Sequence, residues 1–210
     1  MRGSAMLFAD LINEQQPPVD LFFVTDYLNV ADFKGMLNQP YDRTPILLYM
    51  HENQLTYPLS PEEEFDFHFG FTNIVSCMAA EKVIFNSEFH RQLFLDAIPK
   101  YVGKMPESIP KNIQPRIREK SLSLPVGIGR EPGHSDLGEI PKEPIILWNH
   151  RWEFDKRPEM FTRAILRLLD SGITVKVMLL GEERQNEKNF ALLAEKLGKN
   201  LLHSGFLPSR

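Results

Sequence analysis

Cysteine is nearly absent from this 210-residue chain, with one thiol, Cys77. A single cysteine forms no intramolecular disulfide and cannot build a cysteine-rich zinc site. Stability must then come from core packing in a reducing compartment, which predicts a cytoplasmic protein. Long apolar runs are also missing. Stretches such as Val19 to Thr25, Pro45 to Met50 and Val175 to Leu180 are strand-length, far short of the roughly 20 apolar residues that span a bilayer, so no membrane segment is expected. Met1-Arg2-Gly3-Ser4 shows no basic region followed by an apolar stretch, so no secretory leader is expected either. Positive charge is not in excess: the formal net charge of -4 excludes a strongly basic nucleic-acid binder. No Gly-x-Gly-x-x-Gly and no Walker loop is present, which leaves a dehydrogenase or NTPase without its motif. His68, His90, His134 and His203 lack metal-ligand spacing, so no metal site is expected.

What the chain does contain is alternation. With 42% hydrophobic and 25% charged residues it has the composition of a globular domain. Short apolar runs alternate with amphipathic segments, the pattern of a parallel sheet covered by crossover helices. A helix over 5–14, a strand over 19–24, a helix over 30–37 and a strand over 45–50 open the series. A helix over 69–80, a strand over 82–85, a helix over 88–97 capped by Ser87, and a strand over 121–124 follow. The Gly- and Pro-rich run from Gly129 to Gly138 interrupts the pattern. A second alternation then begins, with strands over 144–149, 174–180 and 201–203 separated by helices over 157–170 and 186–197. This predicts an α/β chain of two Rossmann-like domains. Residues 1–128 form the first, which starts on a helix without a preceding strand, 129–143 a linker, and 144–210 the first half of the second. Both domains are expected to be incomplete in this chain.

Ligands of open parallel α/β sheets bind beyond the carboxyl ends of the strands. The polar run His51-Glu52-Asn53-Gln54-Leu55-Thr56-Tyr57-Pro58 leaves one strand directly, and its histidine and carboxylate are expected to face the crevice. It is not a zinc-protease motif, because Leu55 stands four residues after His51. Asn86 and Ser87 lie where a strand enters a helix, and serve either as caps or as ligand contacts. Gly127 suits a tight turn or the close approach of a ligand. The densest run is Asn149-His150-Arg151-Trp152-Glu153-Phe154-Asp155-Lys156-Arg157-Pro158. Arg151, Lys156 and Arg157 surround a helix start opened by Pro158, a pattern suited to a diphosphate: Arg grips oxygens bidentately and Lys neutralises as a point charge. Glu62-Glu63-Glu64 reads as a solvated acidic turn, and Cys77, within an apolar helix, as core rather than nucleophile. Lys100, Lys104, Lys111, Arg116, Arg118 and Lys120 form a basic stretch that either contacts RNA phosphates or is a solvated helix and loop.

The blocks Met50-His51-Glu52-Asn53-Gln54-Leu55-Thr56-Tyr57-Pro58, Gly70-Phe71-Thr72-Asn73, Phe85-Asn86-Ser87 and Asn149-His150-Arg151-Trp152-Glu153-Phe154-Asp155-Lys156 resemble the tRNA-queuosine α-mannosyltransferases. That family is similar in turn to the retaining family-four glycosyltransferases. The resemblance implies a GT-B-type fold and transfer of mannose from GDP-mannose to queuosine in a tRNA anticodon, with retention and without a metal or other cofactor. It also implies catalytic roles for His51, Arg151 and Lys156. Asn149, His150 and Gly127 would join Arg151 and Lys156 on the donor side, with His51, Glu52, Asn53, Gln54, Asn73, Asn86 and Ser87 on the acceptor side. The chain stops before the acidic motif that grips the donor ribose and sugar in such enzymes, so alone it is expected to be inactive. Two alternatives remain: a non-catalytic or truncated relative that binds RNA or a nucleotide, and a glycosyltransferase using another sugar donor or acceptor.

Overall fold

The computed structural model describes residues 3–62, 64–127, 129, 143–181 and 187–207, without the side chains of 187–189. The chain is α/β and divides into two compact units, one of Met1–Tyr57 and Glu64–Gly129, the other of Pro58–Glu63 and Arg130–Arg210. Of the expected linker over 129–143, only Gly129 and Glu143 lie among the described residues. Each unit carries its own parallel sheet and its own core, the arrangement of Rossmann-like domains.

In the first unit the strands β1 (Phe22–Thr25), β2 (Ile46–Met50), β3 (Lys82–Phe85) and β4 (Ser121–Ser123) lie side by side in sequence order, every pair parallel. The sheet packs one face into the core that it shares with the helices, whereas Phe23, on the opposite face, is 61% exposed. Ile46, Leu48, Met50, Val83 and Phe85 are fully buried, each worth about 1.5–3 kcal/mol of transfer free energy. The covering helices are α1 (Ser4–Gln15), α2 (Val30–Met36), α3 (Phe67–Ala79), α4 (Glu88–Val102) and α5 (Ile113–Glu119). Side-chain oxygens of Asn29, Asp66 and Ser87 accept hydrogen bonds from first-turn amides and fix the starts of α2, α3 and α4.

Among the differences from the sequence reading, three bear on packing. β1 starts later, at Phe22, and runs through Thr25. α4 continues past Ala97 through Pro99, because Ile98 and Tyr101 are both buried and draw the last turn onto the core. Part of the basic stretch is a packed helix, α5, pinned by Ile113 and Ile117 at a spacing of four residues. A Cβ at Gly70 would lie 2.9 Å from Tyr101 Cε2, so a larger residue there would displace the Tyr101 ring. The Tyr101 ring stacks on Phe67 at 4.2 Å and its hydroxyl donates to the Phe67 carbonyl. Burial pushes the Tyr101 phenol up to about 12. Cys77 is fully buried and desolvation pushes its thiol up, as befits a core residue.

In the second unit β5 (Ile145–Asn149), β6 (Lys176–Leu180) and β7 (Leu201–Gly205) are parallel in sequence order, with α6 (Pro158–Asp170) and α7 (Glu187–Leu197) as crossovers. Its core centres on Trp152, Ile165, Val177, Leu179, Phe190 and Leu193. Among the described residues no helix is long and apolar enough to cross a membrane.

Candidate functional site

Parallel pairing in register brings the residues that follow β1, β2 and β3 to one end of the first sheet. These are Asp26, His51 and Asn86, and they are hydrogen-bonded in series. Asp26 Oδ1 accepts from the His51 amide at 2.8 Å and stands 3.1 Å from His51 Nδ1. Asn86 Nδ2 donates to the His51 carbonyl at 2.7 Å. His90 Nδ1 lies 3.0 Å from Asn86 Oδ1, and Ser87 Oγ accepts from the His90 amide at 3.2 Å. His51 is thus held by its backbone on both sides while its ring stays 47% exposed, against a side-chain exposure of 4% for Asp26. An imidazole with Nδ1 on a buried carboxylate presents Nε2 outward in a fixed orientation, the arrangement by which a carboxylate sets the tautomer and angle of a histidine. The Tyr49 ring, 4.8 Å from the imidazole, backs it, and the Tyr49 hydroxyl is itself tied to the Leu124 carbonyl at 2.9 Å. Burial lowers the pKa of His90, with Asp26 opposing.

The polar run after β2 divides by role. Asn53 is 4% exposed, and its Oδ1 accepts from the amides of Leu55 and Thr56 at 3.0 and 3.1 Å. This is an Asx turn that shapes the loop. Asn73, 5% exposed, reaches from α3 to accept from the Gln54 amide at 2.8 Å. Both asparagines therefore position the loop. Glu52 is reached by the Tyr27 hydroxyl at 3.0 Å and by Gln54 Nε2 at 3.4 Å, so these side chains converge on one carboxylate beside the strand end. Ser87 caps α4, as its place in the sequence indicated. Gly127 is open: a Cβ there would meet nothing within 4 Å and its φ is not in the left-handed range, so neither a tight turn nor close packing requires glycine.

The basic stretch is heterogeneous. Lys100 and Lys104 are exposed and line a cavity of about 290 Å³ together with Phe65 and Tyr101. Lys111 and Arg116 are exposed as well. Arg118 lies 3.3 Å from Gln92 Oε1 and 3.9 Å from Asp96 Oδ1. Lys120 turns inward, where its Nζ donates to the Met78 and Ala80 carbonyls at 2.7 and 2.5 Å and closes the C-terminus of α3. Lys120 is therefore withdrawn from the expected RNA contacts, and burial pulls its pKa down.

In the second unit, the run after β5 is anchored by Trp152, which is 2% exposed and packs on Phe190 at 4.2 Å. Asn149 ends β5, and the His150 amide donates to the Leu180 carbonyl at 3.2 Å. A Cβ on Gly181, whose φ is +135°, would fall 1.9 Å from the His150 carbonyl oxygen; only glycine allows the ends of β5 and β6 to approach so closely. The basic side chains are paired locally: Arg151 with Glu153 at 3.3 Å and Lys156 with Asp155 at 2.6 Å. The Arg157 guanidinium lies over the Phe154 ring at 4.8 Å. Pro158 opens α6, as the sequence predicts, and no side chain caps that helix. Exposed ion pairs are worth only about 0–1 kcal/mol, so Glu153 holds the Arg151 guanidinium only weakly.

Residues 1–128 match the family model described as the tRNA-queuosine α-mannosyltransferase N-terminal domain. The chain belongs to the tRNA-queuosine α-mannosyltransferase family. It is similar to a tRNA-queuosine α-mannosyltransferase of Drosophila melanogaster, 32% identical over a 216-residue alignment that covers 98% of this chain and 57% of that protein. The chain thus spans little more than half the length of this relative. Of the residues that the family resemblance marks on the acceptor side, all seven lie in the first unit, where His51, Glu52, Gln54, Asn86 and Ser87 surround one strand end and Asn53 and Asn73 shape the loop. Arg151, Lys156, Asn149 and His150 lie in the second unit and Gly127 in the first. Sequence reasoning missed Asp26, Tyr27 and Gly181. The strand-end rule that singled out His51 applies equally to Asp26, but a strand ended at Val24 placed Asp26 one residue too far along the chain.

Proposed function

We propose that this chain carries the acceptor-side domain and the opening of the donor-side domain of a retaining mannosyltransferase that acts on queuosine in tRNA with GDP-mannose as donor. The observation that carries this reading is His51, exposed at a strand end with Nδ1 on buried Asp26 and its backbone clamped by Asn86, in a chain of this family. In the proposed reaction an acceptor hydroxyl oxygen attacks mannose C1 from the face that the leaving group departs. The C1 to diphosphate-oxygen bond breaks, and the hydroxyl proton passes to the leaving phosphate oxygen. His51 positions the sugar. Arg151 and Lys156 exchange Glu153 and Asp155 for the diphosphate and stabilise the charge that develops on GDP, a role that needs no metal or other cofactor. The tRNA backbone is assigned to Lys100, Lys104, Lys111 and Arg116, and the protein is assigned to the cytoplasm.

The local pairing of Arg151 and Lys156 favours one competing reading, a tRNA-binding relative without transferase activity. The test is transfer of radiolabelled mannose from GDP-mannose to queuosine-bearing tRNA. It uses the chain itself, the chain completed with the remaining residues of the Drosophila relative, and Arg151→Ala in the completed form. Label transfer by the completed wild type alone supports the proposal, with Arg151→Ala reduced about 100-fold or more. Salt-dependent tRNA binding by the completed protein without any transfer establishes the competing reading.

A further inference from the structure

Beside the strand-end series, the first unit holds a cavity of about 270 Å³ between the end of β1, the start of α2 and the first turns of α3. It is bordered by two carboxylates, Asp26 and Asp32, by the Asn29 amide, by the rings of Tyr27 and Phe69, and by His68. Each carboxylate is held in place. Asn29 Nδ2 donates to Asp32 Oδ2 at 2.6 Å while Asn29 Oδ1 caps the Asp32 amide at 3.2 Å. Asp26 is nearly buried and uses Oδ1 for both of its bonds to His51; Oδ2 has no hydrogen-bond donor among the described residues.

The chemistry of this lining selects its occupant. Two fixed carboxylates accept hydrogen bonds only and repel anions, so neither a phosphate nor a diphosphate belongs here. Among the described residues no group of three His, Cys, Asp or Glu side chains can hold a metal ion, so the positive charge that suits the site is organic. Aromatic rings on the wall favour a cation further. The volume falls just below the roughly 300 Å³ at which pockets for whole small molecules begin, which fits a substituent and not a nucleotide.

We propose that this cavity receives a protonated amine, carried as a substituent on the acceptor's base, with Asp26 and Asp32 as its anionic anchors. The assignment to the acceptor rests on the function proposed above. Because Asp26 also orients His51, occupancy of the cavity places the acceptor's substituent directly beside the exposed imidazole. The pocket would then discriminate a modified nucleoside from its unmodified parent.

The test is binding of two nucleosides to the 210-residue chain by isothermal titration. One is queuosine, whose side arm joins a secondary amine to a diol; the other is guanosine, which has neither. Asp32→Asn keeps the shape and removes one charge without touching His51, and Thr72→Met fills the cavity from the α3 side without altering either carboxylate. The wild type is expected to prefer queuosine at least tenfold. Both variants should lose most of that preference while guanosine binding and the melting temperature of the first unit stay unchanged. Equal binding of the two nucleosides by wild type, or a preference that survives in both variants, overturns the inference. Preference for queuosine without mannose transfer by the completed protein would sink the mannosyltransferase reading and leave this site standing. Transfer to queuosine-bearing tRNA with the same KM in wild type and Asp32→Asn would do the reverse.

Discussion

Gly181→Ala should destabilise the second unit severely. The alanine Cβ would sit 1.9 Å from the His150 carbonyl oxygen and 3.3 Å from Trp152 Nε1, at a φ of +135° that L side chains rarely adopt. Backbone strain at such a φ costs roughly 1–2 kcal/mol, and forcing strand ends apart against a packed core adds about 1–3 kcal/mol. A total near 3 kcal/mol lowers the melting temperature of a domain this size by roughly 12–24 °C. Both tryptophans, Trp148 and Trp152, lie in the second unit, so tryptophan fluorescence follows its unfolding alone, while far-UV circular dichroism follows both units. The expected result is a fluorescence transition moved down by that amount, with the part of the dichroism transition that belongs to the first unit unmoved. Gly172→Ala is the control, since it shares a positive φ of +75° but has no atom within 4 Å of the added Cβ. Its cost should be limited to the backbone strain. A Gly181→Ala fluorescence transition within a few degrees of wild type would refute the close approach of β5 and β6.

Asn53→Ala removes the acceptor of two loop amides and should cost the first unit about 1–3 kcal/mol; faster amide exchange at Leu55 and Thr56 is the specific sign. Gly127→Ala should be neutral to slightly stabilising, by about 0.4–1 kcal/mol, because its backbone is ordinary and its surroundings open; a drop in transfer activity at unchanged stability would instead give Gly127 a ligand. Burial tends to raise the Glu81 pKa, but the hydrogen bonds from Lys34 and from the Ile46 amide outweigh it and hold the carboxyl below its usual range. That contribution is complete above the unfolded carboxylate pKa and is lost as pH falls through the lower folded value. Glu81→Gln should therefore weaken the first unit at pH 7 and flatten the acid limb of its stability profile, as read by chemical denaturation from pH 3 to 7. His90, lowered by burial, acts in a different window. The unfolded chain binds its proton first, so stability falls as pH drops below about 6.5, and His90→Gln should remove that slope between pH 5 and 7.

Most of the architecture was legible because the strands of a buried parallel sheet must be apolar on both faces, and runs such as Ile46 to Met50 announce themselves. Helix starts were legible where a capping side chain preceded them, as at Ser87. What stayed hidden depends on neighbours in space. Asp26 gains its meaning only when β1 and β2 pair in register and bring it to His51, 25 residues away. Gly181 looks ordinary until the His150 carbonyl is seen against it. The carboxylates that pair with Arg151 and Lys156 were in plain view at Glu153 and Asp155, but it takes the turn geometry before α6 to show that the pairs form. Lys120 reads as one more surface cation until α3 is seen ending beneath it.

Mannose transfer by His51→Ala tests the central claim most directly, measured in the completed protein with GDP-mannose and queuosine-bearing tRNA and accompanied by a melt of the first unit. Loss of about 100-fold or more in kcat, with tRNA binding and melting unchanged, is the result expected of a residue that positions the transferred sugar. Transfer at the wild-type rate would contradict the placement of the reaction at the strand end of the first sheet.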